Sequence, residues 1–174
     1  MTTDIRIRSA TSLDLPRLTE IYNHFVISTP VTFDIEPYLT ENRTAWFSQF
    51  STTGRHRLVV AEENHIVVGY AGTTKFRPKA AYDTTVETTI YCAPGSEGKG
   101  IGSRLYAALF EAISQEDVHL IVAGYTLPNP ASAALHQRLG FQRVGVFTEV
   151  GRKFGRYWDV AWSARPLHLP TPSR

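Results

Sequence analysis

The sequence predicts a mixed α/β fold, with one sheet of about seven strands covered by about four helices. Its 174 residues, 43% apolar and 20% charged, have the composition of a globular domain able to bury about 70% of its unfolded surface. Segments in which apolar and polar residues alternate are interleaved with segments in which apolar residues recur every three or four positions. The resulting order, β-α-α-β-β-β-α-β-α-β-β, departs from the strict alternation of a doubly wound sheet.

Each element has its own signal. Ile5 and Ile7 alternate with charged residues over 4–8, as in a half-buried strand. Thr11, three residues before Asp14, forms a variant capping box, and Pro16 suits a first helical turn. Leu15, Leu18, Ile21, Tyr22 and Phe25 then follow at helical spacing and stop near Pro30. Residues 40–51 read as a second helix with Trp46, Phe47 and Phe50 on one side. Strands over 58–61 and 66–71 flank a polar link of hairpin length, and 84–92 is a β-branched, alternating strand. Residues 101–113 form an amphipathic helix, 118–123 a buried strand, and 131–139 a short helix stopped by Gly140. Two last strands cover about 142–150 and 154–164. Residues 1–164 are expected to be a single domain. Residues 165–174, with Pro166, Pro170 and Pro172, are expected to be an irregular tail.

Composition excludes several classes. Eighteen basic against sixteen acidic residues leave a net charge of +2, too small to argue for nucleic acid. Cys92 alone allows neither an internal disulfide nor a cysteine-based zinc cluster. The remaining histidines (24, 56, 65, 119 and 168) lack metal-ligand spacing, so no metal is expected. The first residues carry no apolar secretory core, and no apolar run approaches the ~20 residues of a membrane helix. A cytoplasmic protein is expected.

Ser96-Glu-Gly-Lys-Gly-Ile-Gly-Ser103 leaves a strand and opens a helix. Glycines at 98, 100 and 102 let backbone N–H groups converge on an anion, and the helix N-terminus adds partial positive charge. A dinucleotide loop would need glycine at Ser103, and a P-loop would need Ser or Thr at Gly100. The segment instead resembles the acetyl-coenzyme A pyrophosphate loop of the GNAT acyltransferase family. That pattern, Gln/Arg-x-x-Gly-x-Gly/Ala, maps onto residues 97–102, with Glu97 where the family usually has Gln or Arg. An acid beside a pyrophosphate weakens binding unless it points away, and Lys99 and Arg104 are expected to offset it. A second family element resembles Asn129-Pro-Ala-Ser132 through Leu135-His136 to Phe141.

Within the family, the phosphinothricin N-acetyltransferase-like branch is similar at Ile21-Tyr-Asn23, Thr32-Phe33, Lys75-Phe-Arg77 with Tyr82, Val86-Glu-Thr-Thr-Ile-Tyr91 and Lys153-Phe-Gly-Arg-Tyr-Trp-Asp159. The resemblance implies a mostly antiparallel sheet and transfer of acetyl from acetyl-CoA to the α-amino group of a small amino-acid analogue. It implies direct attack in a ternary complex, and a homodimer. It places the cofactor on Ile90, Tyr91, Cys92, Gly98, Lys99, Gly100, Ile101, Gly102, Ser103 and Asn129.

Residue chemistry adds to this. Amide formation needs a neutral amine, so an ammonium must lose a proton. Glu87, set in an otherwise apolar and hydroxylated strand, is the expected base; a carboxylate there is costly unless hydrogen-bonded or functional. His136, titrating near neutral pH, is the second catalytic candidate, as acid to the leaving thiolate or as base. Lys75 and Arg77, at i and i+2, suit carboxylate and phosphinate or sulfone oxygens. Phe33 and Thr89, with Glu87, complete the expected acceptor site, and Tyr91 is a further aromatic candidate for its wall. Two alternatives stay open: a peptide, protein or polyamine acceptor, which would want acids in the pocket, and a non-catalytic acyl-CoA sensor.

Overall fold

The computed structural model describes residues 5–168. Strand β1 (Ile5–Ser9) leads through a 3-10 turn into helix α1 (Leu15–Ser28); a second such turn (Thr40–Arg43) runs into the short α2 (Thr44–Phe47). Strands β2 (Leu58–Glu63), β3 (Ile66–Lys75) and β4 (Thr85–Cys92) follow, then α3 (Ile101–Ala112), β5 (Leu120–Thr126), α4 (Pro130–Arg138), β6 (Gln142–Lys153) and β7 (Arg156–Pro166). The seven strands make one sheet in the order β1-β2-β3-β4-β5-β7-β6. Every pairing is antiparallel except that of β4 with β5. This is the mixed, mostly antiparallel sheet that the sequence predicts.

Both faces of the sheet's first half are buried. Val59 and Ala61 of β2 point toward Leu105, Tyr106 and Leu109 of α3, while Leu58 and Val60 point toward Leu18 and Ile21 of α1. The side-chain alternation of a strand makes that division, so β2 reads as a continuous apolar run. A third cluster joins Val86, Ile121 and Ala123 to Ile113, Phe141 and Leu167.

Two expectations change. The helix expected over 40–51 shrinks to the 3-10 turn and the four residues of α2. Trp46 meets both Phe50 and Tyr70 edge-on, at ring-centroid distances of 5.1 and 6.0 Å. Packing against the sheet, rather than a continuing helix, accounts for the aromatic spacing there. The break expected at residue 165 comes later, because β7 pairs with β5 through Arg165 and Pro166 and Leu167 is buried. Arg165 also donates to the carbonyl of Leu139 at 2.7 Å. Pro170 and Pro172 lie outside the described residues.

The β4–β5 ladder has only three registered pairs, Thr85↔Leu120, Val86↔Ile121 and Glu87↔Val122. Past Glu87, β4 keeps pairing with β3 as far as Cys92↔Gly69, and β5 keeps pairing with β7 as far as Thr126↔Val160. Each strand holds its outer neighbour while the inner edges part. That parting positions the site described below.

The start of the fold is held by an ion cluster. Arg8 donates through both terminal nitrogens to the Asp14 carboxylate, each bond 2.8 Å, and through Nε to Glu62 at 2.8 Å. Thr11 N donates to Asp14 at 2.7 Å, the expected half of the capping box. The Arg8 guanidinium therefore holds the Asp14 carboxyl below its usual range, burial opposing. A carboxyl with its pKa depressed by folding contributes stability above about pH 4, lost as pH falls through the lower folded value. Asp14→Asn should lower stability at pH 7 by about 2 kcal/mol and flatten the decline below pH 4, read by thermal melts across pH.

Candidate active site

The gap between β4 and β5 opens into a cleft of about 290 Å³ that reaches both faces of the sheet. Phe25, Val31 and Tyr91 line it on the α1 side; Thr88, Tyr106 and His136 line it on the side of α3 and α4. Beyond Glu87 the inner edge of β4 has no strand partner, so its backbone N–H and C=O groups are available to an extended ligand bearing amides. The pantetheine arm of coenzyme A has that chemistry.

The glycine turn lies where β4 gives way to α3. Gly98 (φ +76°) and Gly100 (φ +71°) both take left-handed backbone, and a Cβ on either would meet nothing within 4 Å. Conformation, not crowding, requires glycine there, and it leaves the loop open around the free N–H groups of the first turn of α3. Gly102 has a different reason: a Cβ would stand 3.0 Å from Leu135 Cδ2, so glycine lets α3 approach α4. Asn129 Oδ1 accepts from Ser132 N at 3.0 Å, capping α4 at the cleft wall. These residues suit a pyrophosphate-bearing ligand through backbone donors.

The side chains of the loop are placed otherwise than expected. Ile101 is buried among Leu105 and Ala71, leaving only its backbone for a ligand. Lys99 Nζ pairs with Glu63 at 2.8 Å, and Arg104 donates to the carbonyl of Ile5. Neither offsets Glu97, whose residue lines the cleft. Burial, with the Glu97 charge adding, pushes the Cys92 thiol up to about 11. A thiol so shifted is protonated at neutral pH, which opposes an acyl-cysteine route.

Glu87 stands at the fork itself, opposite Val122 on one side and Thr74 on the other. Strand alternation puts it on the same face as Thr89 and Tyr91, whose ring meets Tyr22 and Phe25 of α1. Burial raises its pKa above the usual carboxylate value, with the Arg77 charge opposing.

His136 reaches the cleft from the opposite face. Its Nδ1 bonds the Ser132 carbonyl at 2.8 Å, so the proton sits there, and Nε2 accepts from Tyr106 Oη at 3.0 Å. The ring stacks on Tyr125 and is nearly fully buried, and burial lowers its pKa, leaving it neutral at pH 7. Glu87 and His136 make no direct contact; the gap between the strands is what joins their two faces.

Phe33, Lys75 and Arg77 lie outside the lining of the cleft, although the Arg77 charge reaches Glu87. Phe33 packs on Gly151 of β6, where an added Cβ would lie 2.1 Å from its ring, and Val31 takes the place at the cleft wall. Lys75 is ion-paired with Asp83 at 2.9 Å. Arg77 lies over the ring of Phe76, 4.7 Å from the centroid, beside a groove lined by Val122 and Trp162. The sequence reading missed Tyr106, whose helical spacing gives only a core signal. It also missed Lys153, which is buried and donates to the carbonyl of Thr32 at 2.8 Å, tying β6 to the loop after α1.

A sheet whose one parallel pair parts over a glycine turn, with an extended-ligand edge and two oppositely placed proton-transfer candidates, defines an acyl-coenzyme A-dependent transferase. Residues 18–141 match the acetyltransferase (GNAT) family, and the chain belongs to that family. It is an acetyl-CoA-dependent N-acetyltransferase. It is 52% identical over 168 residues to a phosphinothricin N-acetyltransferase of Streptomyces coelicolor, covering 95% of this chain and 98% of the relative. It is 36% identical over 156 residues to an L-methionine sulfoximine/L-methionine sulfone acetyltransferase of Salmonella typhimurium, covering 90% and 91%. The crystal structure of a phosphinothricin acetyltransferase from Sinorhizobium meliloti in complex with AcCoA superposes with a TM-score of 0.89 at 34% identity, covering 100% of this chain and 93% of that one.

Because Glu97 enters none of the ion pairs among the described residues, Glu97→Gln should tighten acetyl-CoA binding about three- to fivefold at low salt, and less at high salt. Isothermal titration at two ionic strengths reads this. Unchanged affinity at both would mean that the acid does not sense the pyrophosphate.

Proposed function

We propose that this acetyltransferase acts on the α-amino group of a small amino-acid analogue of the phosphinothricin, methionine sulfoximine or methionine sulfone type. The observation carrying the reading is the cleft through the β4–β5 gap, with Glu87 at its fork and the Arg77 charge felt by Glu87. The names of the relatives supply the acceptor class. The catalytic domain extends past the expected boundary at 164, through Pro166 of β7 and the buried Leu167, and its expected compartment is the cytoplasm. Among the described residues no helix is long and apolar enough to cross a membrane. Acetylation removes the acceptor's ammonium charge, which would give the reaction a resistance role toward such analogues.

In this reading acetyl-CoA supplies the activated acetyl thioester, held by the backbone of Ile90, Tyr91 and Cys92, the turn of residues 98–103 and Asn129. Glu87 takes the proton from the acceptor ammonium, directly or through water, and its raised pKa brings it nearer to the amine's. Arg77 faces the acceptor's oxyanion side. The neutral His136 accepts from Tyr106, and the pair forms the proton-transfer group on the far side of the gap.

A thiol-release screen tests the acceptor class. Turnover should be highest on methionine sulfone, methionine sulfoximine or phosphinothricin, and preference for a polyamine or peptide would overturn the assignment. Glu87→Gln should lower kcat at least about 10²-fold with the fold intact, and should remove the acidic limb of the kcat/KM profile. That limb should lie above the ordinary carboxylate range, because burial raises the Glu87 pKa. If His136 acts through Tyr106, Tyr106→Phe should fall as far as His136→Ala.

The edge strand β6 supports a homodimer. Val144, Phe147 and Val150 are all more than half exposed, on a strand of 12 residues with one unpaired edge. Long apolar edges of this kind pair with another chain. Light scattering should show a dimer that Phe147→Glu converts to monomer; a wild-type monomer would refute it.

A further inference from the structure

Thr89 and Tyr91, which line the cleft, also line a second cavity of about 290 Å³ between the sheet, α1 and the turn before α2. Two features of its wall are unusual. The first is Arg43, only 5% exposed and held flat between aromatic rings, its guanidinium carbon 3.8 Å from the Trp46 centroid and 4.3 Å from that of Tyr22. It enters none of the ion pairs among the described residues. Among the described residues its one hydrogen bond is a long one, Nη1 to the carbonyl of Leu18 at 3.4 Å. A guanidinium carries five N–H donors in a planar fork, and a buried cation without an anion is costly.

The second feature is Tyr70. Its residue is 1% exposed, and among the described residues its Oη is the one buried side-chain polar atom without a hydrogen-bond partner. Buried polar groups are nearly always bonded, so an orphan on a cavity wall marks a position that a ligand atom can satisfy. Burial raises the Tyr70 pKa and the Arg43 charge opposes the rise, as two groups facing one space require. The other charged group on this wall is Asp34, which accepts from the Tyr22 hydroxyl at 2.5 Å. The cavity therefore presents an oriented cation, a free hydroxyl and, apart from them, one carboxylate already occupied by a donor. That combination takes an oxyanion on a molecule whose other end is cationic.

We infer that this cavity seats an oxyanion of the acceptor, bound by the Arg43 guanidinium and the Tyr70 hydroxyl, and that it sets acceptor specificity. The inference rests on the amino-acid acceptor reading above. With Arg77 beside Glu87 and Lys75 consumed by Asp83, an acceptor carrying two oxyanionic groups would meet a different arginine at each end. The seated group is either the α-carboxylate or the side-chain oxygens of a phosphinate or sulfone.

Tyr70→Phe gives the cleanest test, because it deletes an oxygen that has no hydrogen-bond partner of normal length among the described residues and lies near the Arg43 guanidinium. The melting temperature should equal or exceed that of wild type, while the KM for methionine sulfone rises about tenfold and that for acetyl-CoA is held. Arg43→Gln should raise the same KM by about 30-fold or more. Two further acceptors identify the group: methionine, without sulfone oxygens, and the decarboxylated amine of methionine sulfone. If the carboxylate is seated here, the variants' penalty disappears on the amine and persists on methionine; seated sulfone oxygens reverse that pattern. An unmoved KM in Tyr70→Phe, an equal rise on all three acceptors, or a lower melting temperature for Tyr70→Phe would overturn the inference. Wild-type enzyme that acetylates none of these acceptors would overturn the acceptor reading with it. Wild-type turnover with unmoved variants would overturn this inference alone.

Discussion

The short parallel ladder between β4 and β5 is the constraint on which the site depends. Three registered pairs suffice to bring the two strands together at Glu87 and Val122, and the stronger commitments of β4 to β3 and of β5 to β7 then draw them apart. A sheet with all its ladders complete would present no free backbone edge and no passage from one face to the other. Parting the strands leaves N–H and C=O groups unpaired, which is costly in an apolar interior but tolerable beside a cleft that a polar ligand or water can enter. The elements around the opening follow from it: the glycine turn begins where β4 ends, α3 starts under that turn, and α4 brings His136 to the far rim.

The same geometry separates the titrating groups. Glu87 is half-buried and His136 buried, yet burial acts on them in opposite directions. It disfavours charge in each case, raising the pKa of the acid and lowering that of the base. Each is thus moved toward its neutral form. A carboxylate with a raised pKa is a better match to an amine proton than an exposed one, and a neutral imidazole bonded through Nδ1 keeps Nε2 as an acceptor for Tyr106. The loop after α1 is held between these features and the edge of the sheet. Lys153 grips the carbonyl of Thr32, and Gly151 makes room for the Phe33 ring, so β6 supports the α1 side of the cleft from outside it.

Much of this was legible in the residues. The period-two and period-3.6 patterns located all seven strands and the three longer helices within a few residues, because one-sided burial imposes those periods. The glycine turn was legible too, since left-handed backbone at 98 and 100 leaves few other choices of residue. Where the reading failed, the cause was contact at long range. Trp46, Phe47 and Phe50 looked like one face of a helix because sheet packing selects similar aromatic spacing without a helix. Lys75, Lys99 and Arg104 looked like free cations because nothing local reveals that Asp83, Glu63 and the backbone of Ile5 stand opposite them.

The sequence by itself determined the order of elements, the position of the phosphate-type turn, and the placing of an acid in a β-branched strand. All three are written in local propensity, spacing and residue type. Only the tertiary structure decided which of those side chains share a space. Pairing across the sheet joins residues far apart in the chain: it puts Glu87 at a fork, turns Phe33 toward Gly151, and collects Arg43, Tyr70 and Thr89 around one cavity. Side-chain ion pairs and unfilled donors are outcomes of that pairing, so no window along the chain contains them.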